Sequence, residues 1–523
     1  MANIPQPTTP KLTMPHVSMP QVSMPQVETV VMLMLENRSL DNVLGWLHRD
    51  GKPVHIVGDP NPPHFDGLST EFVNYRKSHH SDFYNAYWPT EGFSSLGPRQ
   101  EWRSPRWDPK EGMANVEVQM YGDRDGEVTA RGWGNDAQMK GFAYDYPTHN
   151  DNDVGDVMGG YTRDELPVLY GLAENFAVSD RWFSSVPTET DPNRAFSLCG
   201  TAQGDEYELP AKIFTAPTIF NALNPSFDGS YSGKTWGIFH QGDQHSAFKP
   251  KDALCYTQGR FTQVQAALLA ANSTGSIDHV SSLLEKLRGG DDLPEFCYIE
   301  PAWGWGIGMP DGDDYVGYQG NDYHAPTWLG PAEWDLNELY VALRASKQWD
   351  HMLFIIVFDE HGGTFDHVAP PATVNPDGID SHFPVHFDYT RLGPRVPAIL
   401  VSPFVVPGTV FRSPADGPSF DHTSVIRTVL EWAGAPGSVI ATLGARVAQA
   451  PTFDTVLSPW VVQPSPPRTF NPPTSFKTQC PKGEHLPFDA PALSVEDHRI
   501  AVAMSSDIEG YLAILKGLAA AKR

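Results

Sequence analysis

Two short apolar runs, Val30–Leu35 and Phe354–Phe358, each break off into a polar cluster: Glu36-Asn37-Arg38-Ser39 after the first, Asp359-Glu360-His361-Gly362-Gly363 after the second. Each run is continuous rather than alternating and far too short to span a membrane, which is the pattern of a strand covered on both faces. Strands of that kind belong to mainly parallel sheets flanked by helices, and such sheets carry their chemistry at the carboxyl ends of the strands. The two runs therefore point to an α/β chain in which Glu36, Asn37, Asp359 and Glu360 are brought together from opposite ends of the sequence.

The remaining pattern agrees. Leu166, Val168, Leu169, Leu172, Ala173 and Phe176 give a helical face between residues 164 and 178, and a strand is expected over Ala177–Phe183. Further strands are expected at Trp236–Phe239, Phe296–Ile299 and Val396–Val401, with helices at Gln263–Leu269, Ile277–Leu287 and Trp334–Arg344. The expected fold is a large, mainly parallel central sheet with helices on both faces, held in one dominant domain over residues 28–455. The 48 prolines and 45 glycines call for long loop insertions, above all in residues 48–150, where no periodicity survives.

Residues 1–27 repeat a short unit, Thr13-Met-Pro-His-Val17, Ser18-Met-Pro-Gln-Val22 and Ser23-Met-Pro-Gln-Val27. A proline every fifth residue forbids a regular helix, so this is an extended arm, either a disordered leader or a contact for another subunit or a delivery partner. Residues 456–523 form a Pro-rich segment through Pro473 and a helical tail over Val495–Lys522, a separate C-terminal element packed on the core or available to a partner.

The formal charge of −26 excludes broad electrostatic attraction to nucleic acid or to an anionic membrane. No apolar stretch reaches the roughly 18 residues of a spanning helix. Nor does the N-terminus show an export signal, so the chain is expected to be cytoplasmic or exported by a signal-independent route. Cys199, Cys255, Cys297 and Cys480 contain no CxxC pair and fix no redox compartment.

Carboxylates with an amide carbonyl are hard oxygen donors, so Glu36, Asn37, Asp359 and Glu360 suit one divalent metal ion, with Ca²⁺, Mg²⁺, Mn²⁺ and Zn²⁺ left open. Thr190 precedes Asp191-Pro192, a helix start, where the dipole and a nearby cation favour an alkoxide; Thr188 is the nearest competitor, and a plain helix cap at Thr190 or Asp191 is the alternative. Histidines sit among polar residues at His324, His361, His367 and His422, types able to donate to a phosphoryl oxygen or protonate a leaving group.

These residues fall in an ordered series: Glu36-Asn-Arg-Ser-Leu-Asp41, Ser185-Val-Pro-x-x-Thr190-x-Pro-Asn-Arg194, Asn321-Asp-x-His324-x-Pro326, Asp359-Glu-His-Gly-Gly-x-Phe-Asp-His-Val368 and Asp421-His-Thr-Ser424. The series resembles the bacterial phospholipase C and acid phosphatase family, a branch of the alkaline-phosphatase-like superfamily, from about Glu28 to Gly434. The resemblance implies an alkaline-phosphatase-like fold, the metal on Glu36, Asn37, Asp359 and Glu360, and a phosphothreonine intermediate on Thr190. It implies catalytic roles for His324 and His422; a substrate pocket is expected with Asn193, Asp322 and His361, and with Glu111 at a position where relatives carry another residue.

Two positions depart from it. Relatives often carry Asp-Pro-Gly-His where this chain has Asp108-Pro-Lys-Glu111, and a histidine where it has Asn42. A carboxylate in place of a cationic donor disfavours a dianionic monoester and favours a phosphodiester with a cationic head group. The expected function is thus a metal-dependent phosphoesterase of phospholipase C type, acting on a phospholipid or small phosphate ester. An acid phosphatase acting on monoesters and a catalytically silent binding protein are the alternatives. Trp102, Trp107, Trp303 and Trp305 are candidate lipid contacts, with burial in the core as the competing reading.

Overall fold

The computed structural model describes residues 24–472 apart from 50, 52–53, 76–85, 88–104, 106, 123–136, 148–153, 208–211, 226, 242–254, 271, 309–314, 319 and 382–385. Most of the arm, the tail from residue 473 and Trp102 lie outside the described residues, as does the side chain of Trp305.

Nine strands form the central sheet: β1 (Thr29–Leu35), β2 (His55–Val57), β3 (Ala177–Ser179), β4 (Trp236–His240), β5 (Gly275–His279), β6 (Phe296–Glu300), β7 (Met352–Phe358), β8 (Ala398–Val401) and β9 (Thr409–Phe411). Their spatial order is β2-β9-β3-β8-β7-β1-β6-β4-β5. All pairings are parallel except the two made by β8.

β1 and β7 are the two apolar runs, extended at β7 to Met352, and they are adjacent. Every residue of both is buried, so neither face is open to water. Helices supply the cover: α1 (Leu40–Leu44), α2 (Met113–Tyr121), α3 (Pro167–Asn175), α4 (Thr190–Cys199), α5 (Val280–Gly289), α6 (Leu329–Ala345) and α7 (Thr423–Trp432). α3 and α5 both pack on α6, and α4 packs on α7. At about 25 cal/mol per Å² of apolar surface removed from water, such doubly covered strands are the largest favourable contribution to the fold.

Several boundaries differ from the sequence pattern. Residues 275–279 are edge strand β5, and the helix expected from Ile277 begins only at Val280, because His279 caps it: its ring nitrogen accepts from the Ser281 amide at 3.2 Å. The helix expected at Trp334–Arg344 starts earlier, at Leu329. The strand expected over Ala177–Phe183 stops at Ser179. Trp303 is buried, which settles it as a core residue rather than a lipid contact.

The register places the site. Leu35 of β1 pairs with Phe358 of β7, so both strands end at the same level. The Asp359 amide donates to the Leu35 carbonyl at 3.1 Å, and the Arg38 amide to the Glu360 carbonyl at 3.1 Å, which extends the pairing past both strand ends.

Candidate active site

Asn37 leaves β1 with a left-handed backbone, φ 55°, a conformation asparagine tolerates better than most residues. Its amide thereby donates to Asp359 Oδ1 at 3.1 Å. The facing turn is tight: at Gly362, φ 60°, a Cβ would lie 2.1 Å from the Asn37 carbonyl oxygen, so only glycine fits.

α4 aims at this meeting point. Glu189 is the N-cap residue and Thr190 the first helical one, so the helix begins one residue earlier than a Thr190 cap would require. The Thr190 hydroxyl lies 3.1 Å from both Glu36 Oε1 and Asn37 Oδ1. Thr188, the competitor, spends its hydroxyl on the Glu206 carbonyl at 2.6 Å. Asn193 is a loop clamp: its side chain bridges Val186 N–H and the carbonyls of Val186, Thr188 and Glu189, shaping the turn that presents Thr190.

His324 completes the ring of groups. Its Nε2 is 3.1 Å from Asn37 Nδ2 and 3.4 Å from Asp108 Oδ1, and its Nδ1 is 3.6 Å from Glu36 Oε1. Burial alone would strip its proton, but the Asp108 and Glu36 carboxylates outweigh burial and hold the imidazolium well above the usual histidine range. Asp322 supports the loop rather than facing outward, accepting from the amides of Gly304 at 2.5 Å and His324 at 3.2 Å. Burial, with Glu36 nearby, raises it to about 7.

Glu111 reaches to 3.5 Å of Asn37 Nδ2. Burial, Asp108 and Glu360 push its carboxyl well above the ordinary glutamate value. The residue that departs from the pattern of relatives therefore stands directly over the site. Asn42, the other departure, is fully buried away from it, accepting from Arg38 at 3.1 Å and donating to the Gly159 carbonyl at 2.9 Å.

Asp359 is heavily engaged. Oδ1 accepts from the amides of Asn37 and Glu360, and Oδ2 from Arg194 Nε at 2.9 Å. Arg194, one helical turn beyond Thr190, also lies with its guanidinium 4.0 Å from the Trp303 ring centroid. No role was assigned to Arg194 from sequence, although its spacing from Thr190 puts both on one face of α4. Glu360 accepts from the Gly362 amide at 2.7 Å, and burial and Asp359 raise its pKa strongly.

Two histidines sit behind this arrangement. His361 Nε2 contacts Gln119 Oε1 at 2.7 Å, and burial lowers its pKa to about 3. His422 Nε2 lies 2.5 Å from the Asp359 carbonyl, with its pKa lowered to about 4 by burial, so it braces the strand end from the backbone side. His367 belongs to a separate network with Asp41, Asp66 and Arg395.

The donor set fits a cation. Glu36 Oε2 and Glu360 Oε1 are buried and find no hydrogen-bond partner among the described residues, a costly state for carboxylate oxygens unless a positive charge meets them. Two three-residue groups here present ligand atoms within 4.8 Å of one another, Glu36 with Asp322 and His324, and Asp108 with Glu111 and His324. A third such group, Asp41 with Asp366 and His367, is already neutralised by Arg395 at 2.9 Å from both carboxylates.

The profile of the Phosphoesterase family matches residues 27–434, a span that holds all of these side chains. The chain belongs to the Phosphoesterase family. As a member it is a hydrolase acting on phosphoric ester bonds. Among relatives, it is 30% identical to non-specific phospholipase C5 of Arabidopsis thaliana, over 80% of this chain and 75% of that protein. It is 26% identical to a non-hemolytic phospholipase C of Burkholderia pseudomallei, over 77% of this chain and 54% of that protein. A solved member of the alkaline phosphatase superfamily from Vibrio parahaemolyticus shares 12% identity and a TM-score of 0.29, covering 55% of this chain and 64% of that one.

Proposed function

We propose that this phosphoesterase is a divalent-metal-dependent phosphodiesterase of the phospholipase C type, with Thr190 as its nucleophile. The observation that carries the reading is the Thr190 hydroxyl at the start of α4, 3.1 Å from both Glu36 and Asn37. The names of the relatives support the substrate class.

Glu36, Asn37, Asp359 and Glu360 would hold the ion, which when bound supplies positive charge to the phosphoryl oxygens and favours the alkoxide. The chain does the rest. Glu36 Oε1 accepts the Thr190 proton as Oγ1 attacks phosphorus, the bond from phosphorus to the alcohol breaks, and a phosphothreonine ester forms. The N-terminus of α4 favours the negative phosphoryl group. His324, kept charged by Asp108 and Glu36, donates to the departing oxygen or to the phosphoryl group. Water then attacks phosphorus, the bond from phosphorus to Thr190 Oγ1 breaks, the phosphomonoester leaves and Glu36 returns its proton to the hydroxyl.

Glu111 would select the substrate. With Asp108 it lines a wall that offers a dianionic monoester no cationic donor, and a cationic head group such as choline or ethanolamine would draw its raised carboxyl towards ionisation. Thr190→Ala is expected to abolish phosphodiester hydrolysis, and acid quench of the native enzyme during turnover of phosphatidylcholine should trap phosphocholine on the Thr190 peptide by mass spectrometry. A Thr190→Ala protein that keeps most of its rate would overturn the assignment.

A further inference from the structure

The turn that carries His324 contains a residue in an unusual backbone state. Tyr323 has φ 76°, a left-handed conformation that a bulky aromatic adopts only where its surroundings hold it. Both of its ends are held. Its carbonyl accepts from Arg38 Nε at 2.7 Å, and its hydroxyl donates to Glu333 Oε1 at 2.7 Å. The ring lies edge-on to Phe358, the last residue of β7, with centroids 5.4 Å apart. On one side of Tyr323 the Asp322 carbonyl accepts from the Glu36 amide at 2.8 Å, and on the other the His324 amide donates to Asp322 Oδ1 at 3.2 Å.

Glu333, fully buried on α6, serves two elements at once. Besides the Tyr323 hydroxyl, its Oε1 accepts from the Leu169 amide at 3.1 Å and its Oε2 from the Val168 amide at 2.6 Å. α3 begins with Pro167 and has no cap from its own side chains, so Glu333 satisfies from another helix the amides that this N-terminus leaves open. A cap alone would account for the two amides; the Tyr323 hydroxyl is a contact that a cap does not need. We propose that Glu333 is a positioning residue for His324: anchored on α3, it fixes the Tyr323 hydroxyl and so holds the left-handed turn that delivers the His324 ring to Asn37 and Asp108. Arg38 fixes where the carbonyl of the turn lies, and the hydroxyl contact fixes how far the turn is rolled about it. The inference rests on the role given to His324 above.

The test uses the full chain and two variants. Tyr323→Phe keeps the ring and leaves Glu333 its two bonds to α3, whereas Glu333→Gln must turn an NH₂ towards at least one group that can only donate. On a soluble phosphocholine diester each should lower kcat about 10–100-fold with KM within about twofold, the size of loss that a misplacement of about 1 Å produces. In a His324→Gln background Tyr323→Phe should cost almost nothing, because the group it positions is gone. An equal fold loss in that background, or a lowered melting temperature with kcat and KM unchanged, would reduce the contact to helix packing. Crystals of Tyr323→Phe should show the His324 ring displaced from its place 3.1 Å from Asn37 Nδ2, and an unmoved ring would overturn the inference. That displacement is read without turnover. A native enzyme with no phosphodiesterase activity would therefore sink the function proposed above, and the crystals would still decide whether the Tyr323–Glu333 contact places His324.

Discussion

Arg194 shows how much of the site depends on one buried cation. Its pKa is raised, with Asp359 outweighing the cost of burial, and the two groups are fully enclosed. Removing one member of a buried pair leaves the other charge uncompensated, which costs about 3–5 kcal/mol. Arg194→Met should therefore lower unfolding free energy by that amount in urea denaturation, and adding Asp359→Asn should recover part of it, because neutralising both is cheaper than stranding one. A double variant no more stable than Arg194→Met alone would contradict this account. Glu111 makes a different kind of prediction, since burial and the Asp108 and Glu360 carboxylates outweigh the nearby His324 and hold its carboxyl well above the usual glutamate range. Glu111→His should raise turnover of p-nitrophenyl phosphate relative to phosphatidylcholine, by about tenfold if a single cation–phosphate contact of roughly 1.4 kcal/mol is gained. Unchanged relative rates would remove Glu111 from substrate selection.

At the scale of elements, the segment after β7 is fastened to α1 by a charged network. His367 Nδ1 lies 2.6 Å from Asp41 Oδ2, and Arg395 reaches Asp41 and Asp366 at 2.9 Å each. Burial opposes the charge on His367, but Asp41 prevails and raises it to about 9. A folded value above the unfolded one near 6.5 means that the stabilisation is complete below about pH 6.5 and is lost as pH rises through 9. The shift corresponds to on the order of 3 kcal/mol, so urea midpoints should fall between pH 6.5 and 9.5, and His367→Asn should flatten that fall. The same elements show what sequence could reveal. β1 and β7 were legible because doubly buried parallel strands are continuous apolar runs, and their acidic ends followed from the architecture. β8 running antiparallel was not, since an apolar tetrapeptide such as Ala398–Val401 carries no sign of direction. Glu333, Asp108 and Arg194 were likewise unassigned: their roles come from contacts made across distant segments, and a lone glutamate or arginine has no spacing signature. His367 and His422 read as chemistry in sequence because histidine beside aspartate looks the same whether it faces a substrate or braces a backbone.

For the whole molecule, 63 acidic residues against 37 basic ones surround a site whose outer wall, Asp108 and Glu111, is acidic too. Among the described residues no helix is long and apolar enough to cross a membrane. A net charge of −26 repels an anionic surface over about one Debye length, roughly 10 Å at 0.1 M salt and 3 Å at 1 M. Hydrolysis of phosphatidylcholine vesicles should therefore slow as an anionic lipid is mixed in at low ionic strength, and should recover as salt is raised. A soluble short-chain phosphocholine diester should show neither effect, because its own head group is zwitterionic and presents no extended field. Phosphocholine release measured across a salt series distinguishes the two. If the vesicle rate instead rose with anionic lipid content, a local basic contact would have to outweigh the whole-molecule field, and the acidic character of this chain would cease to explain its choice of surface.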